Sequence, residues 1–259
     1  MSCACLVLTE VVDDKEVKSN HRSSFSSSFP TYSSSSSGGE LIDSRRCRSE
    51  RIFPIYAMGS SDSNRNSTKV IVDLDSSEDP IWDSIKAEAK SEAEKEPVLS
   101  SFLYASVLSH DCLERALVFV LANRLQNPTL LATQLMDIFN DVMMNDRGIR
   151  RSIRLDVQAF KDRDPSCASY SWALLYLKGY HSLQSYRVAH ALWNQGRKVL
   201  ALALQSRISE VFAVDIHPAA KIGEGILLDH GTGLVIGETA VVGNKVSLMQ
   251  ARHHIRRHW

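Results

Sequence analysis

The chain has 259 residues, enough for one or two domains, and an apolar fraction of 44% that is ordinary for a globular protein. Lys plus Arg and Asp plus Glu cancel at 30 each, so no net field draws the chain to nucleic acid or to an anionic membrane. Five cysteines (Cys3, Cys5, Cys47, Cys112 and Cys167) are odd in number and lack zinc-ligand spacing, which points to a reduced compartment and no metal. No apolar run approaches the ~20 residues of a membrane span, and the first residues hold no apolar signal core, so a soluble chain is expected.

Residues 1–78 carry serine runs (Ser23 to Ser28, Ser33 to Ser37), the pair Gly38-Gly39 and scattered arginines, with few large apolar side chains. Such a segment buries too little surface to offset its ordering entropy, and it is expected to be a disordered leader. Serine and arginine suit an organelle transit peptide, whereas Glu10, Asp13, Asp14 and Glu16 put acid where such peptides are poor in it. The expected location is the cytoplasm, with plastid or mitochondrion as the alternative.

Helical signals occupy residues 79–211. Asp79-Pro80 is an N-cap followed by a proline in the first turn, and Ile81, Ile85 and Ala89 share one face of a helix running to Glu96. Pro97 starts a second helix through about Ser109. Asp111 caps a third, in which Leu113, Ala116, Leu117, Val120 and Leu121 keep helical spacing. Pro128 opens a fourth through about Asn145, and Arg147 to Lys161 forms a fifth with Ile149, Ile153, Val157 and Phe160 as its stripe. Asp162-Arg163-Asp164-Pro165 interrupts the pattern, because the residue before proline is pushed out of the α region. Two more helices follow, Ser169 to Asn194 with a break near Gly179, and Gly196 to Val211. The first half of the ordered protein is thus an α-helical bundle.

From residue 212 to 250 the period changes. Apolar residues recur every six positions at Ile216, Ile222, Leu228, Leu234, Ala240 and Val246, with a second set at Ile236, Val242 and Leu248 two residues out of phase. Half of the chain's 12 glycines fall here, a density that helices tolerate poorly and tight corners need. The pattern reads as hexapeptide repeats, each a short strand and a corner, wound into a parallel β-helix.

Two segments break that rhythm with titratable groups: Asp215-Ile216-His217-Pro218 and Asp229-His230-Gly231-Thr232-Gly233. An imidazole with a nearby carboxylate is the usual general-base pair. Three hexapeptides make a coil of about 18 residues, so Asp215 and His230, fifteen apart, are expected on adjacent coils. The spacing alone does not separate a general base from a solvated corner histidine. His217 reads as a structural corner residue, His181 and His190 as surface or packing residues, and His253, His254 and His258 as a basic tail without metal spacing.

The run Val214 to Glu238 resembles the signature of serine O-acetyltransferases, hexapeptide-repeat acyltransferases of cysteine synthesis. Asp162-Arg163-Asp164-Pro165, Leu177-Lys178-Gly179, Tyr186 to His190 and Leu192 to Gly196 match the family too, and the likeness extends over about residues 80–250, with plant members similar in the helical part. The resemblance implies an α+β architecture, an N-terminal α-helical bundle followed by a left-handed parallel β-helix, assembled as trimers that pair into hexamers. It implies acetyl transfer from acetyl-CoA, a co-substrate, to the hydroxyl of L-serine, with no bound cofactor and with O-acetylserine (thiol) lyase as the family partner. By motif His230 matches the general base and Asp215 its carboxylate partner, while Asp164 and Asp229 match positions that hold the serine ammonium. The positions that bind acetyl-CoA are not assigned. An acyltransferase acting on a sugar or antibiotic is disfavoured, because the helical motifs match only the serine enzymes.

After Gln250 the resemblance stops. Residues 251–259 form a non-family tail in place of the family's Val-Thr-Leu-Gly-Gly-Thr-Gly segment, its Arg-His pair and its further coils. The β-helix is therefore expected to be truncated, without the lyase-docking tail. The alternative function is a catalytically deficient isoform that acts as an assembly or regulatory subunit.

Overall fold

Asp79 starts the first helix as its sequence predicts. In the computed structural model, which describes residues 79–249, its Oδ1 accepts the Trp82 N–H at 3.2 Å and Pro80 stands in the first turn, where a missing N–H costs nothing. The leader 1–78 and the tail 251–259 lie outside the described residues. Helix α1 (Pro80–Lys95) buries Ile81, Trp82, Ile85 and Ala89. The second helical stretch changes pitch along its length, from a 3₁₀ turn at Pro97–Leu99 through α2 (Ser100–Leu103) to a π-helical turn at Tyr104–Leu108. Helices α3 (Leu113–Leu125), α4 (Ala132–Asn145), α5 (Arg147–Arg163), α6 (Tyr170–Tyr176), α7 (Lys178–Asn194) and α8 (Lys198–Phe212) complete the bundle.

Three helix boundaries differ from expectation, each for a local reason. Cys112, not Asp111, is the N-cap of α3. Asp111 instead gives its carbonyl to the Trp82 indole at 3.1 Å and its carboxylate to Arg115 at 3.5 Å. Pro128 does not open α4. Asn127 Oδ1 accepts the N–H groups of Thr129 and Leu130 at 3.0 and 2.7 Å, closing a turn before the helix begins. The break between α6 and α7 falls at Leu177, and Gly179 lies inside α7.

A buried charge network ties α1, α3 and α5 together. Arg154 bridges Glu114 at 2.6 Å and Asp79 at 2.7 Å. Burial pushes the Glu114 carboxyl up, but hydrogen bonds and charge from Arg154 and Arg150 win and hold it below the usual carboxylate range.

Ala213 turns the chain out of α8 in a left-handed conformation, and six short strands follow. They are β1 (Val214–Ile216), β2 (Lys221–Ile222), β3 (Leu227–Asp229), β4 (Leu234–Ile236), β5 (Val241–Val242) and β6 (Ser247–Met249). They pair in three parallel ladders, β1 with β4, β2 with β5 and β3 with β6. The register joins Val214 to Leu234, Lys221 to Val241 and Leu227 to Ser247. One coil is therefore twenty residues long rather than eighteen. Each strand region turns two residues inward: Val214 and Ile216, Ala220 and Ile222, Ile226 and Leu228, then the same columns at Leu234 and Ile236, Ala240 and Val242, Val246 and Leu248. The step from Leu228 to Leu234 is also six, yet it crosses from one column to the other, because two extra residues are inserted at the corner 229–233. The apparent single series of six is two columns joined across that insertion.

Among the described residues strands β1 to β3 have ladder partners on one side only, and an open edge needs cover. Helices α5 and α7 supply it among the described residues. The Tyr186 hydroxyl donates to Ala220 O at 2.5 Å, Arg187 to Gly223 O at 2.8 Å, and His190 Nδ1 to Pro218 O at 2.7 Å. Asp156 accepts the Ile226 N–H at 2.9 Å, the Gln184 amide at 2.9 Å and Arg187 Nε at 2.8 Å. Burial pushes the Asp156 carboxyl up against the pull of these donors. The family-like motif Tyr186 to His190 is thus the cap of the first coil.

Candidate active site

The inserted residues give the corner after β3 its shape. The Gly231 N–H turns back to Asp229 O at 2.6 Å, the Leu234 N–H to Gly231 O at 2.9 Å, and the Gly233 N–H reaches Ala213 O at 2.7 Å. His230, Gly231 and Gly233 take φ of 54°, 71° and 79°. Crowding also favours glycine at 231: a Cβ there would stand 3.2 Å from Val214 Cγ2 and 3.3 Å from Leu228 Cγ, so those side chains would have to give. For a histidine the left-handed region costs roughly 1–2 kcal/mol. Strain of this kind persists where surrounding structure enforces it, and it clusters at functional sites.

The corner presents the imidazole to solvent. The His230 side chain is 69% exposed, and its Nε2 lies 3.5 Å from Asp229 Oδ1, whose side chain is 19% exposed. The carboxylate that this chain sets beside the imidazole is therefore Asp229. Asp215 points outward from β1 and its Oδ1 accepts the Gln205 amide of α8 at 2.7 Å. Among the described residues no hydrogen bond or ion pair joins Asp215 to His230.

Asp164 ends α5 and its Oδ1 accepts the Ser166 N–H at 2.8 Å and hydroxyl at 2.7 Å. The preceding residue, Arg163, ties that loop to both coils, donating to Lys245 O at 2.6 Å, to Ser247 Oγ at 3.0 Å and to Gly225 O. Those bonds fall ahead of β3 and at the start of β6, whereas His230 follows the end of β3. The two acids assigned to an ammonium have separate partners among the described residues, Asp164 at Ser166 and Asp229 at His230.

His217 and His181 pack. His217 Nδ1 accepts the Ala219 N–H at 3.1 Å, and its ring meets Trp193 edge-on with centroids 5.1 Å apart. His181 is fully buried and its Nε2 donates to Leu174 O at 2.7 Å. Burial, with Arg124 adding to it, pushes the His181 pKa down to about 3. Among the described residues no group of three or more His, Cys, Asp or Glu could hold a metal, and no helix is long and apolar enough to cross a membrane.

Two residues of the motif Leu177-Lys178-Gly179 contribute to the corner, a role that sequence reasoning did not give them. The Lys178 ammonium donates to Thr232 Oγ1, and Gly179 lets α7 lie against the carbonyl of Leu228, where a Cβ would stand 1.8 Å from the oxygen. A glycine inside a helical pattern was the available signal for the second. Gln205 and Lys178 carry no local signal, since their partners lie far along the chain.

Comparison with known proteins bears on this geometry. A family model described as serine acetyltransferase, N-terminal, matches residues 81–185. "Probable serine acetyltransferase 2" of Oryza sativa subsp. japonica is 71% identical over 250 residues, covering 96% of this chain and 70% of the relative. "Serine acetyltransferase 4" of Arabidopsis thaliana is 74% identical over 201 residues, covering 77% of this chain and 56% of the relative. The chain thus spans between about half and two thirds or so of the relatives it matches. Among solved structures, soybean serine acetyltransferase complexed with serine superposes with a TM-score of 0.64 at 55% identity, covering 65% of this chain and 70% of that one. A serine acetyltransferase in complex with CoA gives 0.64 at 50% identity, with 66% and 72% covered. The chain belongs to the serine acetyltransferase family.

Proposed function

We propose that this chain transfers the acetyl group of acetyl-CoA to the hydroxyl of L-serine, giving O-acetylserine for cysteine biosynthesis, with His230 as general base. The observation that carries the reading is the corner itself: an exposed imidazole in a strained backbone conformation, beside a carboxylate at 3.5 Å. His230 Nε2 takes the serine hydroxyl proton as that oxygen attacks the thioester carbonyl. The C–S bond then breaks, and the imidazolium returns the proton to the departing thiolate. Backbone N–H groups are the natural donors to the oxyanion. A carboxylate steadies the imidazolium. Asp215 holds that role by motif, and Asp229 is the acid paired with the ring among the described residues. Asp164 and Asp229 remain the assigned partners of the serine ammonium, a cation that two carboxylates suit. No further cofactor is needed for this chemistry. Relatives solved with serine and with CoA support both substrates.

The coils are proposed to wind left-handedly, and three chains to form a trimer that pairs into a hexamer through the helical half. The exposure of His230 suits a site closed by a neighbouring copy. Light scattering tests the assembly, and a monomer would contradict it. O-acetylserine (thiol) lyase is the proposed consumer of the product. The cytoplasm is the proposed location, and import of a reporter fused to residues 1–78 into plastids would contradict it.

The deciding experiment is thiol release by the purified chain with L-serine and acetyl-CoA. Stoichiometric free thiol and O-acetylserine are expected. A chain that releases none, yet joins active subunits of a full-length relative, would favour the assembly-subunit alternative.

A further inference from the structure

We propose that Lys178 is a positioning residue for His230, acting through Thr232. The inference rests on reading His230 as the base. The corner 229–233 bonds to itself and to Ala213 through its backbone, but among the described residues the one polar partner of the His230 side chain is Asp229. Its left-handed conformation therefore has to be imposed by the residues around it, and the first turn of α7 flanks it on both sides. Two residues before His230, the Leu228 carbonyl lies against the backbone of Gly179, closely enough that a Cβ there would overlap the oxygen. Two residues after it, the Thr232 hydroxyl accepts from the Lys178 ammonium.

Helix α7 is a firm support for such a clamp. Tyr186, Arg187 and His190, all on the same helix, are bonded to Ala220, Gly223 and Pro218 of the first coil. The Ser182 hydroxyl further ties the first turn through Gly179 O at 2.9 Å. A helix fixed to the coil at these points holds Leu228 and Thr232 at a set separation, which limits the backbone choices of the three residues between them. The bond of Lys178 is to Thr232, and among the described residues no hydrogen bond joins it to the imidazole, so its role is positioning rather than catalysis. It sets where the ring stands.

The test combines Lys178→Met, Thr232→Val, the double variant and Lys178→Arg with two readouts. In the first, the His230 ring resonance, assigned by its loss in His230→Asn, is followed in ¹H–¹³C spectra of the folded chain. In the second, steady-state acetyl transfer is measured. Positioning predicts that both single variants shift the His230 resonance alike and lower kcat about tenfold. Both KM values should stay within about twofold, since ground-state binding is untouched. The double variant should be no worse than either single, and Lys178→Arg should restore both readouts. Variants that leave the resonance and kcat as in the parent overturn the proposal. So do losses that track only the fraction of folded chain, or losses that add in the double variant. Should the parent show no acetyl transfer, the functional reading fails and the resonance alone decides the clamp.

Discussion

The two ends of β3 are held in opposite ways. Ahead of it, the Ile226 N–H meets Asp156, a fully buried carboxylate that also receives Arg187 and Gln184. Behind it, His230 stands in solvent with one acid at 3.5 Å and a positive φ. The first arrangement saturates a buried charge with donors and fastens the coil to the bundle. The second leaves an imidazole with a free face and a conformation that the surroundings must impose. The buried anchor stands at one end of the strand and the proposed base at the other, four residues away.

The largest expected effect is at the reactive end. His230→Ala should lower acetyl transfer by roughly 10²- to 10⁴-fold, as loss of a general base does, with little change in melting temperature because the side chain is exposed. Asp215→Asn should leave a measurable remainder. Equal losses in thiol release would place the base elsewhere.

At the buried end the order reverses. Asp156→Ala strands Arg187 against the coil, and breaking a buried pair in this way costs about 3–5 kcal/mol. Denaturant titration checks the loss. A variant as stable as the parent would show that the first coil is held by its apolar columns alone.

His181 sharpens the comparison as the buried counterpart of His230. Its folded pKa is pushed down to about 3, while the unfolded chain protonates near 6.5. The unfolded state therefore binds the extra proton, so the stability contribution is complete above about pH 6.5 and is lost as pH falls towards 3. Between pH 7 and pH 5 the loss should be about 2 kcal/mol, and His181→Gln should remove that share of the slope. Parallel slopes for parent and variant would mean that this ring is protonated in the folded state.

Much of the fold was legible because its signals are local. Asp79 and Pro80 mark a helix start by cap chemistry, and the six-residue period reveals coils whatever packs on them. The coil length was hidden by a coincidence: the inserted corner keeps Leu228 and Leu234 six apart while moving them to different columns. Pro128 misled because Asn127 takes up the N–H groups that a helix start would have offered. In the site, Asp-His-Gly within a repeat marked His230 as the candidate base, and the structure sets it at an exposed corner with a positive φ. What stayed hidden was relational. Gln205 on Asp215, Lys178 on Thr232 and Gly179 on Leu228 each join residues that only the tertiary fold brings together.

The most direct measurement is His230→Gly, assayed for thiol release and for unfolding free energy in the same preparation. If the corner holds a strained base, glycine relieves the left-handed conformation, and the variant should be more stable by about 1 kcal/mol while acetyl transfer is lost. A variant that keeps its activity, or that loses it together with stability, would contradict a base held under strain at the end of β3.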